Sequence, residues 1–586
     1  MRFRSASGRG GQVFAVSGVN TVSFAIVAGR EMKKGLLGFA VERIDPEEDE
    51  RFFVNGFKVF RSVIREPDEK TAVSTFDHPV QSFVWDDFTA KPDRTYEYRF
   101  HPLKGKPKNL DRSARPLSLR VRTEPLLSDQ GQDVFFNRGV ASSQAYRRRF
   151  GLTPIDKLQP ETLKAEALAW LSRDLDDALL RFIDSCRRGD GLLCCFYEFR
   201  YEPVARALVA AIERGVDVRI IVDAKESETG FPRKDNLAML RKVGIPAGNR
   251  KLREARASTI QHNKFMVRVA GGRRPVEVWT GSTNMSQGGI SGQTNVGHWV
   301  RDESVAARFA AYWELLSADP GGTATDSDAE KRKKNAAFRT AVEELSPVPA
   351  DLTDVRRGTT VVFSPRLDLT LLESYARLLD EARDVGCITL AFGVNPMFKD
   401  LLQDNTAQSA LVFMLLEKKD EPRPGAEAAF VAVNASNNVY KAWGSFIEDP
   451  VYQWARETNA GLLGLNKHVS FVHSKFLLVD PLSADPIVIT GSANFSDPST
   501  RANDENMIVV RGDRRVADIY LTEFNRLFNH YYFRSVTESV RGRRRKPDGA
   551  SLFLAETDAW QEKYAPGTFK AKRLDAYARM KGFSSA

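Results

Sequence analysis

Cysteine is scarce in this chain: Cys186, Cys194, Cys195 and Cys387 are the only four in 586 residues. No two stand at C-x-x-C spacing, so neither a zinc site nor a dithiol redox centre is indicated. Cys194 and Cys195 fall in an apolar run, where thiols pack as small hydrophobes. Usage this sparse fits a reducing compartment. No stretch reaches the ~18–20 apolar residues that span a bilayer. The start, Met1-Arg2-Phe3-Arg4-Ser5, is charged, but polar residues interrupt Phe14–Ala28. No export signal is therefore expected, and a cytoplasmic location is. Histidine is also rare, with seven in all: His78, His101, His262, His298, His468, His473 and His530. Any imidazole chemistry has few candidates.

What is present is charge and length. Lys and Arg number 86 against 76 Asp and Glu, a net charge of +10. That balance favours an anionic partner, either nucleic acid or the surface of an anionic membrane. A chain of 586 residues is too long for one core and predicts three to four domain-sized units.

A repeat organises the sequence. Gln261–Val269 reads Q-H-N-K-F-M-V-R-V, and Gly281–Asn284 reads G-S-T-N. Val472–Asp480 reads V-H-S-K-F-L-L-V-D, and Gly491–Asn494 reads G-S-A-N. His262 and His473 are 211 residues apart, Asn284 and Asn494 are 210 apart, and pairing Asn295 with Asn506 restores 211. Alternation along a strand puts His and Lys of H-x-K on one side. The G-S-x-N turn adds a hydroxyl, an amide and close-approaching backbone N–H groups. Two such sets facing each other suit a tetrahedral anion.

These residues resemble the phospholipase D superfamily, whose signature is H-x-K-x4-D followed by G-S-x-N. The second copy fits throughout, with His473, Lys475, Asp480, Gly491, Ser492 and Asn494; the first has His262 and Lys264 but Val269 in place of the Asp. The resemblance covers roughly residues 160–535 and implies a metal-independent phosphodiesterase acting through a phosphohistidine. Its substrate would be an anionic phosphodiester, nucleic acid or phospholipid. The predicted architecture is multidomain: an N-terminal all-β sandwich, then a pair of α/β phospholipase D-like lobes related by pseudo-two-fold symmetry. Residues 1–125 carry short β-prone runs, including the strictly alternating Tyr96–Phe100, and look fibronectin type III-like. Residues 126–159 read as a connector, 160–318 as the first lobe and 319–351 as a linker with a charged helix over Asp328–Glu344. Residues 352–535 read as the second lobe and 536–586 as a basic tail. Within the lobes one helix is expected over Glu161–Arg188, a strand over Phe430–Val433 and a last helix over Val516–Tyr532. In the tail, Arg541–Lys546 is a possible phosphate-binding arm, and Trp560, Tyr564 and Phe569 point to docking.

The expected catalytic set is His262, His473, Lys264, Lys475 and Glu505, with Ser282, Asn284, Asn295, Ser492, Asn494 and Asn506 binding phosphate. One imidazole attacks phosphorus while the other protonates the leaving oxygen and later takes a proton from water. Both roles are open to an imidazole near neutral pH. No metal is required, because two lysines supply positive charge. By family analogy Glu505 orients His473. Aligned Thr294 can give His262 no anionic partner, so His473 is expected to attack and His262 to act as acid, although the family often assigns attack to the first copy. His298 and His468 are secondary candidates, His298 as a core residue and His468 on the rim. Loss of first-copy acids admits an alternative, a catalytically silent protein that binds anionic phosphate ligands.

Overall fold

Two seven-stranded sheets with the same strand order carry the two copies of the motif in this computed structural model. The structure describes residues 1–586 except 9, 57, 68–70, 129, 140–145, 147–148, 152, 350, 406–409, 423–424, 426–428, 445–469, 542–552 and 585–586. The first sheet runs Gln132–Phe136, Val296–Val300, Arg274–Gly281, Lys264–Ala270, Gly191–Phe196, Asp217–Asp223, Arg250–Arg253. The second runs Gly358–Ser364, Glu505–Arg511, Ile487–Gly491, Phe476–Val479, Val385–Leu390, Leu411–Leu416, Val439–Trp443. In each, the three strands at one end are parallel and the others antiparallel. The central strands are buried on both faces, and their Leu, Ile, Val and Cys runs meet that demand. The H-x-K segments enter, and the G-S-x-N turns leave, at the same edge of each sheet. There the lobes touch through two short parallel bridges, Gln261 with Asp504 and Thr294 with Val472.

Several expectations change here. The stretch read as a connector contributes an edge strand, Gln132–Phe136, to the first sheet. The single helix expected over Glu161–Arg188 is two, Glu161–Ser172 and Leu175–Asp184. The break is at Arg173, in the left-handed region at φ 54°. Its guanidinium donates to the Phe136 carbonyl and to both oxygens of Glu523 on the last helix of the second lobe. Phe430–Val433 is loop, and the outer strand is Val439–Trp443, after a short turn capped by Asn434. The linker helix spans Asp328–Leu345, opened by a Ser327–Glu330 capping box and held by buried Phe338 and Val342. The last helix runs Arg514–Arg541, longer than its apolar periodicity indicates.

The N-terminal region is β-rich. One sheet holds Arg2–Arg4, Gly11–Ser17, Val22–Ala28 and Val84–Asp87; the other holds Asn109–Asp111, Thr95–Lys106, Gly38–Asp45 and Glu50–Phe53, with Leu117–Arg122 also on Thr95–Lys106. Gly38–Asp45 was not anticipated from sequence, because charged Glu42 and Arg43 interrupt it. Both are buried, Glu42 against His101 and Arg51, Arg43 against Asp87. The tail docks as its aromatics suggested. Phe553–Leu554 pairs with Val59–Phe60, Trp560 and Tyr564 pack on Phe83, and Phe569 stacks on Tyr440 at 4.0 Å. Gly542–Lys546 of the basic run lie outside the described residues.

One continuous core joins the N-terminal region to both sheets. Tyr312 stacks on Phe363 at 4.2 Å, and Phe136 meets Phe476 and Tyr520 edge-on, so aromatic rings close the seam between lobes. Arg2, 1% exposed, binds Asp518 of the last helix and donates to four carbonyls of the second lobe and tail. Among the described residues no helix is long and apolar enough to cross a membrane.

Candidate active site

Each histidine is held by the opposite lobe. The backbone N–H of His262 donates to the Asp504 carbonyl at 2.9 Å, and its Nδ1 lies 2.8 Å from Glu505 Oε2. The backbone N–H of His473 donates to the Thr294 carbonyl at 3.2 Å, and its Nδ1 lies 2.9 Å from Asn295 Oδ1. Glu505 therefore orients His262, not His473, which reverses the pairing expected from sequence. The cause is that the lobes cross, so each histidine meets the strand start that follows the other lobe's G-S-x-N turn; the identity of the second partner, Asn295 and not Thr294, is a one-residue shift in alignment. Ser282 N–H donates to the Val296 carbonyl and Ser492 N–H to the Asn506 carbonyl, so Val296 matches Asn506 and Asn295 matches Glu505. The deletion that shortens the offset from 211 to 210 lies before the G-S-x-N turn and is never recovered.

Glycine opens each turn because the next strand passes directly over it. A Cβ on Gly281 would sit 2.3 Å from the Val296 carbonyl oxygen, and one on Gly491 2.2 Å from that of Asn506. This close approach sets Glu505 and Asn295 at the same depth as the histidines of the facing lobe.

The amide of Asn295 is fully committed, which fixes the second imidazole. Its Nδ2 donates to the Gly289 carbonyl at 2.8 Å, while its Oδ1 accepts from Ser282 Oγ at 2.9 Å. Oδ1 is thus an acceptor, so His473 carries a hydrogen on Nδ1 and offers Nε2 to chemistry. Glu505 is likewise pinned, accepting from Ser499 Oγ at 2.8 Å. Lys264 and Lys475 turn their Nζ back onto the carbonyls of His262 and His473. Tyr197 packs edge-on to His262 at 4.9 Å and lies under the Lys264 ammonium.

Burial dominates the titration of this cluster. His262 is 6% and His473 4% exposed. Burial, then the two lysines, holds both imidazoles well below their usual range, so both are neutral at pH 7; the His262 ring further lowers His473. Burial lowers Lys264 to about 7 against the pull of Glu505 and Glu198. Burial lowers Lys475 well below the usual lysine range, with Lys264 adding to it. Burial raises Glu505 to about 7, against Lys264. Positive charge crowded into a dry site is what an incoming phosphate diester would relieve.

The expected phosphate-binding residues divide into two groups. Asn284 and Asn494 stand at the site, and among the described residues nothing bonds the buried Oδ1 of either. The other four are engaged elsewhere. Ser282 Oγ serves Asn295, and Ser492 Oγ accepts the Asn506 amide N–H. Asn295 orients His473. Asn506 accepts from Thr280 Oγ1 and donates to Asn263 Oδ1 at 2.8 Å, joining the lobes instead of facing a ligand. Asp480 is structural as well: it accepts the N–H groups of Arg383, Asp384 and Val385. In the first lobe Asp190 takes the Gly271 N–H in the same corner, which is why Val269 is tolerated.

Sequence reading missed Tyr197 and Glu198. Glu198 accepts from Asn284 Nδ2 at 2.9 Å. The signal was a buried strand ending abruptly in Tyr197-Glu198-Phe199-Arg200. At the corresponding place the second lobe has Phe392, 68% exposed, so the two walls of the site differ in polarity. His298 lies in the core, Nδ1 at 3.2 Å from the Tyr520 hydroxyl; His468 lies outside the described residues. Among the described residues no cluster of three or more His, Cys, Asp or Glu could hold a metal ion.

Beneath His262 a buried ionic staple joins the lobes. Asp504 accepts from Arg253 Nε at 2.9 Å and Arg256 Nη1 at 2.7 Å, with Lys225 Nζ at 3.6 Å. Burial alone would raise its carboxyl, but Arg253, Lys225 and Arg256 outweigh it and hold Asp504 at about 2.

A family model described as "Cardiolipin synthase, PLD-like domain" matches the chain in two parts, residues 179–316 and 379–528. No curated protein sequence matches. Among solved structures, the phospholipase D family member Nuc from Salmonella typhimurium is 27% identical, over 25% of this chain and 87% of its own, with a TM-score of 0.20. Phosphatidylserine synthase from Haemophilus influenzae Rd KW20 is 10% identical, over 69% of this chain and 93% of its own, with a TM-score of 0.43. Polyphosphate kinase from Porphyromonas gingivalis is 11% identical with a TM-score of 0.35, and the match covers 58% of this chain and only 46% of the kinase.

Proposed function

From a chain that belongs to the phospholipase D superfamily, we propose a phosphodiesterase that works without metal through a phosphohistidine on His262. The observation that carries this reading is the cross-lobe pairing of His262 with Glu505 and of His473 with Asn295. An ionised Glu505 holds the Nδ1 hydrogen of His262 and stabilises the ring once it becomes cationic. Its Nε2 is then the better nucleophile. Asn295 is neutral and gives His473 orientation without that stabilisation. This assignment replaces the one expected from sequence.

In the first step the negative charge of the bound diester offsets the lysines and lets His473 take up a proton at Nε2 from solvent; His262 Nε2 then bonds to phosphorus while the P–O bond to the leaving alcohol breaks, and His473 gives that oxygen its proton. In the second, neutral His473 takes a proton from water as the water oxygen bonds to phosphorus and the P–N bond breaks. Lys264, Lys475, Asn284 and Asn494 surround the non-bridging oxygens, and a trigonal-bipyramidal state gains more from their charge than the ground state does. We take the lobes to be related by a pseudo-dyad through this site, and residues 1–125 to be a sandwich of the fibronectin type III kind. Retention of both His-Lys pairs with their orienting partners favours this reading over a silent binder.

Purified protein should turn over bis-p-nitrophenyl phosphate with chelator present. Rates within twofold with and without EDTA are expected; loss on chelation and recovery with a divalent ion would contradict the proposal. DNA, RNA and phospholipid vesicles in parallel distinguish nucleic acid from lipid as the diester.

A narrow bell in kcat/KM near pH 7 is also expected. Glu505, raised to about 7, takes up a proton on the acid side and ceases to hold the imidazolium. Lys264, lowered to about 7, loses its charge on the alkaline side. The limbs belong to the coupled cluster and not to single residues. Glu505→Gln should lower the maximum and flatten the acid limb. An unchanged acid limb in that variant would remove Glu505 from the account.

A further inference from the structure

A cavity of about 1570 Å³ opens between the N-terminal β-rich region and the docked tail, lined by residues of 54–85 and 553–570 and by none of either lobe. Its walls are cationic. Lys58, Arg61 and Arg65 come from one side, Lys563 and Lys570 from the other, against two carboxylates, Glu66 and Glu556. Glu556 is turned aside to accept the Ser62 N–H at 2.8 Å. Among the described residues none of the five cations has an ion-pair partner. Arg61 lies over the Phe553 ring, and Lys570 over that of Tyr564. Trp85 and His78 complete an aromatic wall.

Like charges gathered in a recess oppose folding unless something offsets them. Burial and then Lys563 lower Lys58; burial, Lys563, Lys58 and Arg573 together lower Lys570 to about 8. No carboxylate acts in the other direction on either lysine. The catalytic histidines belong to other elements, so the mechanism makes no use of this recess. Its volume exceeds the ~300–1,000 Å³ of ordinary small-molecule sites, leaving room for a ligand longer than one phosphate.

We propose that this cavity is a second ligand site, built for a compact anion carrying several linked phosphate groups, with Lys58, Lys563 and Lys570 as its binding residues and the aromatic wall beside them. Linked phosphates match three separated ammonium groups better than a single anion does, because each added phosphate meets a further cation of the same recess.

Calorimetric titration of the full chain with inorganic tripolyphosphate tests this, with sulfate as the single-anion control and ATP as a second arm. Saturable tripolyphosphate binding is expected, at least tenfold tighter than sulfate and weakened by added salt. A Lys58→Gln/Lys563→Gln/Lys570→Gln variant should lose that binding at least tenfold while keeping wild-type diesterase rates. Its unliganded melting temperature should be equal or higher, since mutual repulsion is removed. If the triple variant does not fold, exposed Lys563→Gln alone should weaken binding severalfold. ATP binding tighter than tripolyphosphate would assign the aromatic wall to a base; equal affinity would assign recognition to the phosphates. Absence of saturable binding, affinity unchanged in the variants, or affinity lost in His262→Ala would overturn the proposal. The last would place the ligand at the histidines.

Discussion

Alanine at His262 is expected to reduce diester turnover by at least ~10³-fold for every substrate, because the atom that bonds to phosphorus is gone. Alanine at His473 should behave differently. A group that donates a proton contributes roughly 10²–10⁴-fold where the leaving oxygen is a poor leaving group, and far less where it is a nitrophenolate. With bis-p-nitrophenyl phosphate the His473→Ala variant should therefore complete the first step, release one equivalent of nitrophenol and stall, since no base remains to activate water. A rapid burst in His473→Ala and none in His262→Ala is the expected pattern. The reverse would restore the assignment suggested by the sequence alone. Asn295 supports the asymmetry: Asn295→Asp should place a carboxylate against His473 and blunt the difference, whereas a residue of purely structural role would leave the burst pattern untouched.

The second large effect concerns the assembly of the site. Asp504→Asn should cost about 3–5 kcal/mol of stability, the usual penalty for leaving buried charge without its counterion. Three cations of the first lobe, Arg253, Arg256 and Lys225, lean on this one carboxylate of the second; among the described residues Arg253 has a second ion-pair partner, Asp319, and Asp223 also acts on Lys225. The same residue passes its backbone to His262, so loosening it should also reduce activity. The pH dependence carries a sign. Asp504 is held below its ordinary value, at about 2 against 3.8, so its contribution is present above about 4 and is lost as pH falls toward 2. Wild type should lose stability across that window more steeply than Asp504→Asn. Equal melting temperatures for the two proteins at pH 7 would contradict the staple.

Much of this arrangement can be read from one-dimensional spacing. H-x-K with G-S-x-N, twice, locates the strands and turns and brings both histidines and both lysines to one edge of each sheet. Local patterns also find the tail aromatics and the capped linker helix. Legibility ends where partners are distant in sequence. Glu505 and Asn295 each follow a G-S-x-N turn by a similar interval, yet which histidine each serves depends on how the lobes cross, and no spacing within either copy encodes that. An alignment matching Asn to Asn is one residue out, and a one-residue slip along a strand turns a side chain to the other face. Ser282, Ser492 and Asn506 read as ligand groups by type; their hydrogen bonds to neighbouring strands are visible only in three dimensions. Gly38–Asp45 and the break at Arg173 were hidden for a related reason. Buried charges there are matched by remote partners, His101, Asp87 and Glu523, which periodicity does not register.

Incubating His473→Ala with bis-p-nitrophenyl phosphate, quenching at neutral or alkaline pH and mapping the phosphoryl adduct by peptide mass tests the central claim most directly. The account predicts a stoichiometric adduct on the peptide containing His262, absent when His262 is also replaced. An adduct on any other residue, or undiminished steady turnover in the double variant, would contradict it.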